Sequence, residues 1–386
     1  MPWRAVLLAV VLLLACRLPE EVKDACNQDG DCRGGRLCLS GVCRPRSDPP
    51  APVFTRFQTA FQDLGHTSSY PIGLESPRDN RFEIFVIAPT GGLANRGWFD
   101  DVLDPVWYAY LESLTALKDG TDATSWGDLR QDLITRDRSD TAVHVYFEPK
   151  PPQVGWQPVG TRPGRFRAAL THLGRNRMIA FQVDAATGEL WRSRYEGGRW
   201  SEWSAGPAGK LGGGLDAATL YGSTTVGQAP PIAGALLVGR NEAGALITAI
   251  YDLSSDSVGA WRALESEPPG GSEGQPTVLT HPAGHYHIFV SARMGGVWGA
   301  AGRVGSDPGP FHLLGNGEGS GGDLDAVSWP VEDGWRVAMV RRDPLTGNVQ
   351  LGQMESDGAG AEPSIRHELH APEIGAERST RRQPGP

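Results

Sequence analysis

The feature that most constrains the fold of this chain is a set of short apolar runs that recur along its middle. Each run is rich in β-branched and aromatic residues and is flanked by polar, glycine or proline residues, which is the pattern of a β-strand. The runs are Phe82–Ile87, Thr141–Phe147, Met178–Val183, Ala233–Val238, Tyr286–Val290 and Trp335–Val340. Helical periodicity is almost absent, so the sequence predicts an all-β fold.

Turns and closing residues recur together with these runs. Most runs are followed by a glycine-centred turn, and Asp184–Gly188 and Asp343–Gly347 match each other closely, whereas the second run is followed by prolines at 149–152. Each unit then closes with a strand that carries an aromatic residue and, in most units, an apolar residue just after it, as in Trp156 with Val159. The closing residues are Trp107, Trp156, Trp203, Trp261, Phe311 and, more weakly, Ile365. The segments with which units begin also repeat, since Gly213–Ala217 resembles Gly322–Ala326.

This spacing of about fifty residues, with four strands in each unit, is typical of propeller blades. We expect residues 54–370 to form a β-propeller of six blades, with seven as the alternative. A pair of β-sandwiches would also give strands and turns, but it would not repeat the hairpin and the closing residue six times. Phe54–Asn80 should supply a strand that completes the last blade, because unpaired terminal blades would expose sheet edges.

The amino terminus has the pattern of an export signal. Arg4 precedes the apolar run Ala5–Leu14, which is too short to span a bilayer as a helix and suits a secretory signal peptide. The run ends in Leu13-Leu14-Ala15-Cys16, which resembles a bacterial lipobox. That resemblance implies a signal peptide at 1–15, acylation of Cys16 and a lipid-anchored spacer at 16–25.

The remaining cysteines lie close together and form an even set, Cys26, Cys32, Cys38 and Cys43. Turn-forming pairs fill the gaps and apolar residues are few, so we expect a disulfide-stabilised module at 26–43. Three pairings are open, and a four-thiolate zinc site is disfavoured because its ligands are usually two to four residues apart. The segment resembles the Cys-rich modules, called Dickkopf-like, that follow the lipobox in lipoproteins of myxobacteria and their relatives. A proline-rich linker at 44–53 and a disordered tail at 371–386 are also predicted.

Charge and hydropathy limit the partners. The net charge of −9 argues against nucleic acid binding, which needs a basic surface. No second apolar stretch approaches membrane-spanning length, so membrane attachment is expected through the lipid alone. We therefore expect an exported protein, lipid-anchored at the bacterial outer membrane or cell surface; the residue after Cys16 is Arg17 rather than Asp, which in that family favours the outer membrane.

The third unit has the most informative motif, "MIAFQVDAATGELWRSRYEGGRWSEWSAG". It resembles the repeat of lectin propellers, including the tectonin-like, the six-bladed fucose-binding and the seven-bladed Photorhabdus-type groups. The matching residues are Trp191, Arg194, Trp200, Ser201 and Trp203. In the fucose-binding group, Arg, Glu and Trp line pockets between adjacent blades, so the resemblance implies a sugar site there.

Sugar recognition uses flat aromatic faces and planar charged groups that bond paired hydroxyls. The candidate ligand-binding residues are Trp191, Arg194, Glu202 and Trp203. Strand alternation places Arg192 and Arg194 on one face and Trp191 on the other, so a shared pocket requires a blade edge or a bulge. The alternative is that the tryptophans pack between blades and the charges are solvated.

Other chemistry has weaker support. Asp184–Trp191 departs from the Asp-box of sialidases in spacing and lacks its preceding serine, and no nucleophile pair with an arginine triad is evident, so we expect no enzyme activity. His281, His285 and His287 are expected to be surface or turn residues rather than a metal site, and Gly315–Asp325 an inter-blade loop rather than a calcium loop. We expect no metal and no cofactor.

These observations together favour a lipid-anchored cell-envelope protein whose propeller recognises carbohydrate or another surface polymer. The alternative is a protein-interaction scaffold with a protein partner in an envelope complex. A sialidase-like glycoside hydrolase is the third hypothesis.

Overall fold

The computed structural model describes residues 37–39, 42–44, 52–54, 57, 61–78, 81–99, 101–110, 117–126, 130–147, 155–222, 231–281, 284–315, 322–331 and 334–356. Within these ranges the regular structure consists of β-strands, without an α-helix. No helix in the described part of the chain has the length and apolar character needed to cross a membrane. The predicted signal peptide, Cys16, Cys26, Cys32 and the tail at 371–386 lie outside the described residues.

The first described element is a small hairpin in the predicted Cys-rich module. It consists of β1 (Leu37–Leu39) and β2 (Val42–Arg44), and its antiparallel register places Cys38 opposite Cys43. The disulfide pairing of the module stays a prediction.

The remaining strands form six antiparallel sheets that follow one another along the chain. The amino-terminal strand β3 (Gln62–Thr67) stands apart in sequence from the sheet it joins. Blade 1 contains β4 (Gly73–Arg78), β5 (Arg81–Ile87), β6 (Leu93–Phe99), β7 (Val102–Leu103) and β8 (Tyr108–Tyr110). Blade 2 contains β9 (Leu117–Thr124), β10 (Gln131–Asp137), β11 (Thr141–Phe147) and β12 (Gln157–Pro163). Blade 3 contains β13 (Ala169–His172), β14 (Arg177–Val183), β15 (Glu189–Glu196), β16 (Arg199–Trp200) and β17 (Ser204–Lys210).

The second half of the ring repeats this arrangement. Blade 4 contains β18 (Asp216–Tyr221), β19 (Ile232–Arg240), β20 (Leu246–Asp252), β21 (Ser257–Val258) and β22 (Arg262–Ala263). Blade 5 contains β23 (Ser272–His281), β24 (His285–Ala292), β25 (Val297–Arg303) and β26 (His312–Gly315). Blade 6 contains β27 (Leu324–Val331), β28 (Gly334–Arg342), β29 (Asn348–Glu355) and, at its outer edge, β3.

The innermost strands of the six sheets form a closed ring. In order around the ring, β4 contacts β9, which contacts β13, then β18, β23 and β27, and β27 returns to β4. Six successive blades around a central channel are the architecture of a six-bladed β-propeller. The predicted fold class and blade number are therefore confirmed.

Six hydrophobic clusters hold the ring together, one at each interface between neighbouring blades. At the interface of blades 6 and 1, for example, Trp329 and Val340 of blade 6 pack with Phe82 and Ile84 of blade 1. Alternate residues of a strand point to opposite faces of its sheet. Each blade therefore needs apolar residues on both faces, which explains the dense apolar runs seen in the sequence.

The predicted ring closure is also confirmed. β3 pairs with β29 in antiparallel register, so an amino-terminal strand supplies the outermost strand of the last blade. Phe61 precedes this strand and Leu64 lies within it, with the same three-residue spacing as Trp156 and Val159. Phe61 is thus the sixth closing residue, in the place that the sequence analysis had given to Ile365, which lies outside the described residues.

The second repeat is offset by one strand from the sequence-based assignment. Thr141–Phe147 is the third strand of blade 2, whereas the corresponding runs in the other blades are second strands. The true second strand is β10, which the sequence analysis did not recognise because its residues are largely polar. The turn that follows β10 spans residues 138–140, and not the prolines at 149–152. Beginning the unit at β10 restores a period of about fifty residues.

Candidate functional site

Alternation along β15 divides the predicted site residues between two interfaces. Leu190 packs in the cluster between blades 3 and 4, whereas Tyr195 packs in the cluster between blades 2 and 3. Arg192 and Arg194 share the face of Leu190, and Nη atoms of both lie near a carboxylate oxygen of Asp256 in blade 4, at 3.5 and 3.6 Å. The sequence-based assignment of the two arginines to one face, opposite Trp191, is confirmed.

A cleft of about 600 Å³ opens where these arginines meet blade 4. It is lined by charged, hydroxyl and aromatic side chains together with one glycine, and these residues are Arg192, Arg194, Glu196, Gly197, Arg199, Trp200, Ser201, Ser204 and Asp256. A volume of this size is in the range of small-molecule sites. The cleft is therefore the candidate functional site.

The two arginines are held differently. The side chain of Arg192 is 12% exposed; its Nη1 donates to the carbonyl of Ala205 at 3.0 Å, and its Nη2 donates to the backbone carbonyl of Asp256. The side chain of Arg194 is more exposed to solvent than that of Arg192, and its Nη2 donates to Oε2 of Glu196 at 3.2 Å. Arg192 thus forms a fixed wall of the cleft, and Arg194 presents its guanidinium at the opening.

Asp256 comes from the hairpin turn between β20 and β21 and has a positive φ of 48°. Its Oδ1 accepts a hydrogen bond from the hydroxyl of Tyr251 at 2.9 Å. Burial first, and then the Asp256 carboxylate, raise the pKa of Tyr251 to about 12, so the phenol keeps its proton at neutral pH. Tyr251 therefore positions this carboxylate beside the arginines.

The opposite side of the cleft is a tight hairpin. Gly197 and Gly198 both have positive φ, as the turn between β15 and β16 requires, and they bring Arg199 opposite Glu196. After the turn, the Ser201 amide donates to the carbonyl of Arg194 at 2.8 Å. Trp200 lies on this hairpin and touches the rim of the cleft, but its ring packs towards blade 2, with centroids 5.3 Å from those of His144 and Tyr195. The hairpin thus adds a third guanidinium, of Arg199, and the Ser201 hydroxyl to the cleft.

The structure brings one of the four predicted ligand residues, Arg194, into this cleft. Trp191 lies on the other face of blade 3, with the guanidinium of Arg162 3.3 Å from its ring centroid. Trp203 is 8% exposed, and its indole N–H donates to the backbone carbonyl of Val159 in blade 2. Glu202 is exposed but does not line the cleft. A ligand role for these residues stays a prediction, and the packing of Trp191 and Trp203 matches the alternative of inter-blade contacts.

Two of the three histidines, His281 and His287, were assigned wrongly to the surface or to turns, whereas His285 is half-buried at the start of β24. His281 and His287 are buried between blades 5 and 6, with ring centroids 5.1 Å apart, and they pack against Phe54 and Trp335. Burial lowers the pKa of His281 well below its usual value and that of His287 to about 4. Both imidazoles are therefore neutral at physiological pH, within a box of aromatic rings.

Sequence reasoning missed a charged cluster in the central channel. Asp122, Asp216 and Asp325 come from the innermost strands of alternate blades, and an oxygen of each lies within 4.8 Å of the others. Each carboxylate also accepts a backbone N–H from the next blade, donated by Leu170, Val278 and Leu74 respectively. The aspartates thus join the blades in pairs. The repeated Asp-Ala dipeptide at 122–123, 216–217 and 325–326 was the sequence pattern that could have found them.

Arg167 lies among these aspartates and is buried. Its Nη1 is 3.2 Å from Asp325, and its Nη2 is 3.5 Å from Asp216 and 3.8 Å from Asp122. Burial raises the pKa of all three carboxyls, that of Asp325 to about 7, while the guanidinium opposes the shift. The arginine supplies the positive charge at the centre, so the cluster is explained as a structural link between blades.

Comparison with known proteins supports the fold. No family model matches the chain, and no curated protein matches its sequence. AofleA from Arthrobotrys oligospora is 15% identical over 81% of this chain and 95% of AofleA, with a TM-score of 0.58. The BP39L lectin from Burkholderia pseudomallei is 12% identical over 77% of this chain and 99% of the lectin, with a TM-score of 0.51. The chain is thus a six-bladed β-propeller similar in fold to AofleA and to the BP39L lectin.

Proposed function

We propose that this protein binds saccharides through the cleft between blades 3 and 4. The observation that carries the proposal is the convergence of Arg192, Arg194, Arg199 and Asp256 at one inter-blade opening. Planar guanidinium and carboxylate groups bond paired hydroxyls of a sugar with defined geometry. The similarity in fold to a protein named as a lectin supports the same function.

A glycan array tests the proposal on the full-length protein purified in detergent. We expect sugar-competable binding that Arg194→Gln weakens about tenfold, which corresponds to the loss of one charge-assisted hydrogen bond of about 1.4 kcal/mol. Arg138→Gln is the matched control, because Arg138 is exposed on blade 2 and does not line the cleft. An array without binding, or equal binding by wild type and Arg194→Gln, contradicts the proposal.

A second candidate function is a protein-interaction scaffold. It is favoured by exposed apolar side chains at the outer edge of blade 1, where Val102, Val106 and Tyr108 lie within seven consecutive residues. Exposed apolar groups on a sheet edge are a common feature of protein interfaces. Co-purification of one stoichiometric partner, lost on Val102→Asp, would support this function, and a solitary monomer would count against it.

Binding rather than catalysis is part of the proposal. Glycoside hydrolysis needs two carboxyl groups on either side of a substrate bond. In the cleft, the Glu196 carboxylate pairs with Arg194, and the Asp256 carboxylate lies near Arg192 and Arg194. The closely spaced channel aspartates are engaged by backbone N–H groups and Arg167. Incubation with sialyl and other aryl glycosides tests this point, and turnover that survives purification would contradict it.

We also propose that the protein is exported and anchored through a lipid on Cys16, on the basis of the lipobox resemblance. Metabolic labelling with a radioactive fatty acid should mark the wild type and not Cys16→Ser. Fractionation of the bacterial envelope would then locate the protein, for which we propose the outer membrane or cell surface. Labelling of both forms would contradict anchoring at this residue.

A further inference from the structure

We infer that the cleft between blades 3 and 4 selects saccharides that carry an acidic group, a carboxylate or a sulfate, over their neutral counterparts. The inference rests on the proposed function and adds the chemical class of the ligand.

The cleft has more positive than negative groups. It is lined by three guanidiniums, of Arg192, Arg194 and Arg199, and by two carboxylates, of Glu196 and Asp256. The chain as a whole has a net charge of −9, so this local excess of one positive charge is opposite in sign to the rest of the protein. A cleft with low-dielectric walls concentrates ions of the opposite charge, here anions.

The ion pairs within the cleft are weak enough to leave its guanidinium groups available to an incoming anion. One carboxylate, of Asp256, serves both Arg192 and Arg194 at 3.5 and 3.6 Å, which is longer than a charge-assisted hydrogen bond of about 2.7–2.9 Å. The Glu196 side chain is 60% exposed and the Asp256 side chain is 48% exposed. Exposed pairs of this kind contribute little. An incoming anion can therefore displace them at small cost.

Arg199 has no ion pair with a carboxylate among the residues that the structure describes, although it lies on the hairpin directly opposite Glu196. Arg192 has a buried Nε without a partner, while its other nitrogens are fixed by backbone carbonyls. A preorganised guanidinium loses little side-chain entropy on binding. Arg194 and Arg199 at the opening, with Arg192 behind them, are thus arranged to hold one anionic group.

The rest of the cleft suits the neutral part of a sugar. Ser201 and Ser204 contribute hydroxyl oxygens that can accept hydrogen bonds from a sugar, while their protons are donated to the backbone carbonyls of Glu202 and Arg192 at 3.1 and 3.4 Å. A volume of about 600 Å³ leaves room for more than the acidic group alone. The ligand we infer is therefore an acidic saccharide rather than a free inorganic anion.

Isothermal titration of the full-length protein in detergent with two matched pairs of ligands tests the inference. The pairs are trigalacturonic acid with its methyl ester, and a κ-carrageenan oligosaccharide, which carries sulfate and no carboxylate, with its desulfated neutral form. We expect at least one acidic member to bind about tenfold more tightly than its neutral partner, a difference of about 1.4 kcal/mol. Added salt should reduce this preference, because screening weakens exposed charges. Comparison of the two acidic ligands distinguishes a carboxylate from a sulfate.

Arg199→Gln is the decisive variant, because Arg199 is exposed and its loss breaks no ion pair in the described structure. It should reduce the acid preference about tenfold and leave the melting temperature unchanged, whereas Arg138→Gln should change neither. Equal affinity for acid and neutral forms would overturn this inference and leave saccharide binding standing. Absence of binding to any saccharide here and on the array would overturn both. An acid preference that survives Arg194→Gln and Arg199→Gln would overturn the assignment to this cleft.

Discussion

Replacing Arg167 by methionine should destabilise the protein in a pH-dependent manner. The substitution keeps an unbranched apolar chain but removes the guanidinium from among Asp122, Asp216 and Asp325. It also removes two hydrogen bonds of 2.9 Å to backbone carbonyls of the first two blades. Removing one member of a buried ionic group costs about 3–5 kcal/mol. At a pH where the aspartates are ionised, we expect a loss of that size in the free energy of unfolding.

The dependence on pH follows from the direction of the pKa shifts. Burial raises the pKa of Asp325 from 3.8 to about 7 in the wild type, although Arg167 opposes the shift. Between these values the folded protein keeps a proton that the unfolded chain has released, so stability falls as the pH rises through this window. Three pKa units correspond to about 4 kcal/mol for this carboxyl alone. In Arg167→Met all three pKa values should rise further, so the fall should extend above pH 7.

Urea unfolding followed by tryptophan fluorescence at about pH 5 and about pH 8 measures both effects. At the lower pH the aspartates can take up protons, and the variant should lose mainly the two carbonyl hydrogen bonds, about 2 kcal/mol. At the higher pH the loss should reach about 3–5 kcal/mol. Asp325→Asn added to Arg167→Met should recover part of it, and Arg138→Met is the surface control. An equal loss at both pH values would refute the electrostatic argument, and no loss would refute the structural role of Arg167.

Three further predictions concern packing and acid stability. Trp203→Ala should lower the free energy of unfolding by about 3–5 kcal/mol, because its buried indole fills the interface of blades 2 and 3; a melting temperature close to that of the wild type would contradict this. Leu64→Ala should cost about 2–5 kcal/mol and should accelerate hydrogen exchange in β29, its partner strand; unchanged exchange there would show that β3 does not close the ring. His287→Phe should move acid unfolding to lower pH. The wild type loses up to about 3 kcal/mol as the pH falls from 6.5 to about 4, because the folded pKa of His287 is lowered; an unchanged acid midpoint would contradict the burial argument.

The fold was largely predictable from the sequence because propeller blades repeat both their turns and their closing aromatic residues. The five residues predicted to close units, from Trp107 to Phe311, each directly precede the outermost strand of a blade. The second blade was misplaced by one strand because several side chains of β10, whose sequence is QDLITRD, are polar and yet buried. Its burial depends on partners such as the Asp132–His144 contact, which hydropathy does not reveal.

The candidate site was only partly predictable. Strand alternation correctly grouped Arg192 with Arg194, because that rule depends on the backbone alone. Asp256 could not be found, because it reaches the cleft from the next blade through a hairpin turn whose conformation depends on tertiary structure. Trp191 and Trp203 were predicted to bind the ligand, but the sequence of the motif is the same whether an indole contacts a sugar or the neighbouring blade. Residue type alone does not distinguish these two surroundings.

The pairing of β3 with β29 also fixes the order in which the protein can fold. β3 is synthesised before every blade, yet its partner is the last strand of the ring, and Thr67 pairs with Asn348 across most of the chain length. The ring cannot close during synthesis, so the six blades must await the final strand before the edges of the sixth are complete. Contacts between such distant segments form slowly. We therefore expect late, cooperative closure, with a rate sensitive to changes at the ends of the propeller rather than in its middle blades.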